Sequence, residues 1–530
     1  MVIHCRENNP GVEIQIRDKP GAPSGIEGPV PDHAMLFFSV EFLYVFLPVA
    51  AVGYWLVARL TGGRRDLAIG WLIGASLVFY GLWNPLYLFL LGTSILVNYA
   101  LGQYLQVKRS KAVLVLALAF NLGLLSWYKY LGFFAGIASA VSGQGFELTA
   151  VVLPLAISFF TFQQIAWVVD NYRGELLEGK VRFGEYVLFV VFFPQLIAGP
   201  IVHHSELIPQ FRSGELLRFR SDHLATALAF FIIGMFKKVV LADNIAPMPA
   251  TVFDGAAWGI SYGFVDTWVA AIAYPLQVYL DFSAYGDMAI GLALLFNIRL
   301  PINFDSPHKS LQMVEYWRRW HMTLGRFMRG YVFIPLGGSR VGPLRNHFNV
   351  VVTLALAGLW HGAGWTFVIW GTAHGVLQAV YLLWRKHTKW RMPMLLAWLV
   401  TFFATTVAHS FFPAHNLESA LLALEIMFMV SDTPVQAANT AGGTYLLILA
   451  TFIGALLLPS TRLLMSDRYE PTTYDNNTVS ASEALRIPVL DGLRLAFNTR
   501  WLMFLAAVGG TTLYLIFSTS SVQDFVYFQF

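Results

Sequence analysis

The sequence predicts an all-α polytopic membrane protein, and three observations carry that expectation. Of its 530 residues 56% are hydrophobic and only 12% charged, whereas soluble domains carry roughly 25% charged residues. Mean hydropathy is +0.58. Apolar runs long enough to cross a bilayer, about 17–25 residues, recur along almost the whole chain. Taken in order, they fall at 36–60, 68–83, 85–105, 112–131, 149–169, 186–202, 224–242, 263–280, 347–361, 365–384, 394–412, 443–464 and 500–518. Shorter apolar pieces at 288–298 and 417–431 are read as re-entrant or interfacial. The expectation is 11 to 13 spans in one domain over 35–530, without a detectable internal repeat.

Residues 1–34 stand outside this pattern. They are polar, rich in Gly and Pro, and lack the apolar core of a signal peptide. Either they form a short disordered tail or translation starts at Met35, and the second is preferred. The only cysteine, Cys5, lies there. The membrane body therefore offers no thiol for a disulfide, a metal site or an acyl-enzyme intermediate.

Basic residues set the orientation. Arg64 and Arg65 follow the first span, Lys108, Arg109 and Lys111 the third, and Arg173, Lys180 and Arg182 the fifth. The connections around Asn84-Pro85 and Gly132–Leu148 carry none. This alternation places the N-terminus outside. The net charge of +4 then belongs to cytoplasmic loops, and nucleic-acid binding is excluded.

Ionisable groups at bilayer depth are costly and rare, so each is a functional candidate. His361 is the foremost, in Leu354-Ala-Leu-Ala-Gly-Leu-Trp-His-Gly-Ala-Gly-Trp365. A helix from Asn346 to Trp360 spans about 22 Å, which puts the imidazole well inside the bilayer. Gly358, Gly362 and Gly364 point to a helix break or a close backbone approach. A satisfied core histidine is the alternative; catalysis is preferred, and His374 is read as structural. Asp281 and Asp287 lie about 240° apart on a helix, and the intervening Ser283 and Gly286 predict a broken helix. Either each aspartate fixes helix packing, or the pair lines a cavity and orients catalytic groups.

In Glu315-Tyr-Trp-Arg-Arg-Trp-His321, a continuous helix pairs Glu315 with Arg319 and sets Arg318 on the face of His321. That segment is either an interfacial amphipathic helix or a basic rim for an anionic ligand such as coenzyme A, with His321 turned into a pore. His203-His204 lacks a cysteine or a convincing carboxylate partner, so no metal site is expected. There is no G-x-S-x-G, Walker A or H-E-x-x-H motif.

These motifs together resemble the membrane-bound O-acyltransferase family, and within it the bacterial branch concerned with alginate O-acetylation. The resemblance runs nearly the whole length from Met35. It includes Phe79-Tyr-Gly-Leu-Trp-Asn-Pro85, Trp127-Tyr-Lys-Tyr, Leu153–Gln163, Phe193–Ile201, Phe236–Asn244, Asp281–Met288, Trp317–His321, Ile334–Gly338, Gly358–Gly362 and Tyr527-Phe-Gln-Phe530. Ala156, Ala284, Gly286, Gly330, His409 and Pro413 depart from the branch's usual pattern. The resemblance implies a ring of helices around a thin central funnel, His361 as the catalytic histidine, and His321 as the second motif histidine. Asp281, Asp287, Arg318, Arg319 and Trp360 are the supporting candidates.

The expected activity is transfer of an acetyl group from a cytoplasmic thioester towards a hydroxyl of an extracytoplasmic polysaccharide, at the bacterial inner membrane. Acetyl-CoA is the expected donor, no cofactor is held tightly, and a periplasmic acetyltransferase-like protein is the expected partner. Two alternatives stay open: D-alanyl transfer to a cell-wall polymer, and a proton-coupled transporter using Asp281, Asp287 and His361.

Overall fold

The computed structural model describes residues 35–145, 152–175, 177–430, 434–438, 442–472, 493–496 and 498–518. The 1–34 segment with Cys5, its alternative start, and the closing Tyr527–Phe530 motif lie outside them. Among the described residues the protein is helical apart from a parallel pair of two-residue strands, Ser261–Tyr262 and Val435–Gln436.

Among the described residues six helices are long and apolar enough to cross a membrane: Phe42–Leu60, Tyr87–Val107, Lys111–Ser142, Ser221–Ile245, Trp365–His387 and Thr499–Ser518. Met394–His409 and Gly442–Leu457 are shorter apolar helices. This is a multi-pass membrane protein. Several of the six expose large apolar side chains such as Leu56, Leu116 and Phe504, as a lipid-facing surface requires.

Other expected spans fail the same measure for a physical reason. Ile157–Arg173, at the expected 149–169 span, buries 14 of its 17 residues. These include Ser158, Thr161, Gln163, Gln164, Asp170 and Asn171, too polar for lipid and placed against protein instead. At its start Ala156 holds φ +61°, a left-handed conformation in which glycine, the branch's usual residue, carries no Cβ penalty.

Four expectations are corrected. The chain at 186–202 is not one span: Phe183–Val191 ends, Phe193–Leu196 forms one turn after a break at Phe192, and extended chain follows. The span at 112–131 continues through a π-helical turn, Ser126–Tyr130, into Leu131–Ser142. The segment holding Asp281 and Asp287 is unbroken, because Phe264–Leu294 is a single helix of 31 residues. At 1.5 Å per residue it is about 46 Å long, and every residue from Ala273 to Leu294 is buried. Close packing on all sides supports the helix where Gly and Ser alone argued for a break. Residues 288–298, read as a separate re-entrant piece, are the end of that helix and the turn after it.

Pro343–His361 and Trp365–His387 form an antiparallel pair whose backbones touch. A Cβ at Gly358 would collide with the Phe367 carbonyl, one at Gly371 with the Leu354 carbonyl, and one at Gly375 would stand 2.7 Å from Val351 Cα. Small residues allow such approach between membrane helices. Gly371→Val is expected to cost roughly 1–3 kcal/mol or more by overpacking, read as a lower melting temperature of the detergent-purified protein. Gly70→Ala, whose Cβ meets open space, is expected to stay within about 0.5 kcal/mol of wild type. Equal melting of the two variants would contradict the close crossing.

Candidate active site

His361 is the last residue of Pro343–His361. Gly362 turns to extended backbone (φ −154°, ψ 148°), Gly364 N–H donates to Gly362 O at 3.0 Å, and the chain re-enters helix at Trp365. The glycines thus make a break inside the protein, which leaves His361 at a helix end with 3% of its surface exposed.

His321 is fully buried and lies between two short helices, Met313–Arg319 and Met322–Met328. Its φ of +41° is left-handed, at a cost of about 1–2 kcal/mol for a residue with a Cβ. The chain at 303–305 holds it there. Asp305 N–H donates to Arg319 O at 3.0 Å, and Met322 N–H donates to Asn303 O at 2.9 Å. Asn303 Oδ1 accepts from the backbone N–H and the hydroxyl of Thr323 at 3.2 and 3.0 Å, and faces His321 Nδ1 at 3.1 Å. An oxygen already accepting from an N–H makes Nδ1 the donor, so His321 carries its proton on Nδ1 and its lone pair on Nε2.

That turn corrects the continuous helix expected over 315–326. Arg318 does not share a face with His321; it is exposed. Arg319 is buried and paired, with Glu315 at 2.8 Å and Asp305 at 3.7 Å. The basic rim therefore reduces to Arg318.

One buried void gathers His321, His361 and His409. Tyr274, Val278, Phe282, Trp320, His321, His361, Trp370, His409 and Phe412 line it, with about 10 Å³ of water-sized space, room for about one water. The His321 and His361 rings are 6.1 Å apart between centroids. Trp360 stands 5.0 Å from His361 and 5.9 Å from His321, and stacks on Phe162 at 5.3 Å. His374 packs behind Trp370 at 4.9 Å and does not line the void.

Two residues of this region are not among the site candidates read from the sequence. His409 ends Met394–His409 and lines the void, with Nδ1 2.7 Å from Thr405 O and therefore donating. Lys129, on the π-helical turn, is 6% exposed and reaches the backbone of Trp360 and His361 at 2.7 and 2.9 Å. The signal was present in both cases: an ionisable residue deep in an apolar run, the same argument that selected His361.

Asp281 and Asp287 stand apart from this void. Lys238 bridges Asp281 at 2.9 Å and Asp243 at 2.8 Å. Asp287 pairs with Lys237 at 2.7 Å and accepts from Thr461 at 2.8 Å. A polar pocket beside the second pair includes Ser283, Asp287 and Ser460, together with Asn303, the residue that faces His321 Nδ1. His203 and His204 do have a carboxylate neighbour, Asp170, at 3.7 and 3.8 Å, contrary to the sequence reading. Asp170 accepts from Tyr331 at 2.8 Å. Among the described residues no group of three or more side chains is arranged to hold a metal ion.

A buried pocket of histidines inside a multi-pass helical membrane protein defines a site suited to proton transfer. Residues 173–421 match the family model described as MBOAT, membrane-bound O-acyltransferase family. The chain is 43% identical over 425 residues to the peptidoglycan O-acetyltransferase of Helicobacter pylori, covering 74% of this chain and 80% of that one. It is 33% identical over 527 residues to a protein of Azotobacter vinelandii named "Probable alginate O-acetylase AlgI", covering 94% and 100%. Similarity to the teichoic acid D-alanyltransferase of Streptococcus thermophilus is 29% over 249 residues, covering 44% and 58%. The chain belongs to the membrane-bound O-acyltransferase family and is an O-acyltransferase.

Asn303→Leu removes the acceptor that fixes the His321 ring and that the Thr323 N–H and hydroxyl donate to. Losing such a buried bond is worth about 1–3 kcal/mol. Turnover is expected to fall about 5- to 100-fold in an acyl-transfer assay, with the protein still folded; unchanged turnover would show that ring orientation at His321 does not matter.

Proposed function

We propose that this protein moves an acetyl group from a cytoplasmic thioester, acetyl-CoA, towards a hydroxyl of an extracytoplasmic polysaccharide at the bacterial inner membrane. The observation that carries the reading is His361 and His321 on one buried void, in a chain similar to proteins named for O-acetylation of peptidoglycan and of alginate. His361 acts as general base. Its neutral imidazole takes the proton as the acceptor oxygen attacks the thioester carbonyl. The tetrahedral intermediate then collapses, the C–S bond breaks, and the imidazolium returns the proton to the thiolate, giving an ester and a thiol. His321, with its lone pair on Nε2, stands ready to orient the hydroxyl.

The small void supports a small acyl group, although even an acetyl thioester enters only as side chains such as Phe412 move aside. Exposed Arg318 is suited to the donor's phosphates. A periplasmic acetyltransferase-like protein is the partner that carries the group onward to the glycan. Membership of an acyltransferase family replaces the transporter alternative. D-alanyl transfer has weaker support, because the similar D-alanyltransferase matches only 44% of this chain.

His361→Ala is expected to lower glycan O-acetylation about 10²–10⁴-fold, the usual contribution of acid–base catalysis, in complemented deletion cells scored by glycan mass spectrometry. Wild-type acetylation in that variant would remove His361 from the chemistry. Loss of a D-alanyl mass from deletion-strain envelopes, with acetyl esters intact, would favour the second reading.

A further inference from the structure

We infer that Lys129 is a positioning residue for acyl transfer: its ammonium, together with the Tyr130 hydroxyl, caps the buried end of Pro343–His361 and so fixes where the His361 ring stands. The inference rests on the reading of His361 as the base.

The last four carbonyls of any helix lack intrahelical partners. At the end of Pro343–His361 each of the four is met. Gly358 O accepts from Gly362 N–H at 3.4 Å. Leu359 O accepts from Tyr130 Oη at 3.0 Å. Trp360 O and His361 O accept from Lys129 Nζ at 2.7 and 2.9 Å. Three of the four partners thus come from two consecutive residues on a different helix, about 230 positions earlier in the chain.

Water would meet such carbonyls at a surface, but this end is buried, where backbone groups must be satisfied by protein. An ammonium is suited to the place, since it has three donors and its charge complements the negative end of the helix dipole. It also lies 5.9 Å from the centroid of the Trp360 ring. Among the described residues Lys129 makes no ion pair with a carboxylate, so its partners are these carbonyls and the adjoining ring. Its host, the π-helical turn Ser126–Tyr130, is a device often found at functional sites. Here it brings two adjacent side chains to one helix end, although adjacent residues of a regular α-helix point about 100° apart.

The test uses membrane vesicles holding the full-length protein, with radiolabelled acetyl-CoA as probe and label in the endogenous envelope glycan as readout. Rates are measured against donor concentration per molecule of folded protein. Lys129→Met is expected to lower apparent kcat about 100-fold, as a misplaced catalytic group does, with KM for acetyl-CoA within about twofold of wild type. Lys129→Arg, which keeps a cation and its donors, is expected to recover to within about tenfold of wild type. Turnover of Lys129→Met within about twofold of wild type overturns the inference, as does a change confined to KM or to the amount of folded protein. If Lys129→Met does not accumulate, Tyr130→Phe decides. A turnover about 3- to 10-fold lower at unchanged KM supports the cap, and wild-type turnover overturns it. His361→Ala run alongside separates the two claims: if it transfers label normally, the reading of His361 fails; if it is inactive while Lys129→Met is normal, only the cap fails.

Discussion

A helix that ends inside a protein leaves carbonyl groups where there is no water to meet them, and this site is built around one such end. Pro343–His361 stops at the residue whose imidazole lines the void. Its terminal carbonyls are met by Gly362, Tyr130 and Lys129. The turn at Gly362–Gly364 and the contact of Gly358 with Phe367 then return the chain alongside itself. If that end frayed, His361 would lose its fixed relation to His321, Trp370 and Phe412 on the void. A buried ring at a helix terminus needs a buried helix end, and a buried helix end needs donors brought from elsewhere.

The same accounting explains how charge is distributed through the interior. Lys238 is held between Asp243 and Asp281, Lys237 by Asp287, and Arg319 by Glu315 and Asp305. Buried pairs of this kind are weak evidence for stability, since desolvation offsets much of the attraction, yet breaking one leaves an uncompensated charge. Their effect here is geometric. Lys237 and Lys238 sit on a second π-helical turn, Lys237–Ala242. They tie it to two positions of the long helix Phe264–Leu294, which also supplies Tyr274, Val278 and Phe282 to the void. Carboxylates remote from the void thus hold in register the helix that forms one of its walls.

Much of this was legible in the sequence, and the misses have physical causes. The helical class, the burial of His361 and the break after it follow from apolar run length and glycine spacing, both local properties. The Asp281–Asp287 segment misled because Gly and Ser weaken a helix only where tertiary packing does not support it, and here every neighbouring residue is buried. Arg318 misled because helical spacing was extended across Trp320 and His321, where pairing with 303–305 stops the helix; such long-range pairing leaves no periodic trace. Lys129 and His409 were legible by depth alone.

His321 shows why a strained backbone belongs in this site. A residue continuing the helix Met313–Arg319 would follow its periodicity, with Arg319 in ion pairs and Arg318 exposed. The left-handed turn changes that direction. It brings the ring onto the void beside Phe282 at 4.7 Å and Trp360 at 5.9 Å. The cost of about 1–2 kcal/mol is offset by the two backbone bonds to 303–305 and by the three contacts of Asn303 Oδ1. Those same contacts select the tautomer. The loop that holds His321 in its strained conformation therefore also decides which nitrogen carries the lone pair, so that position and protonation pattern are fixed by one structural element.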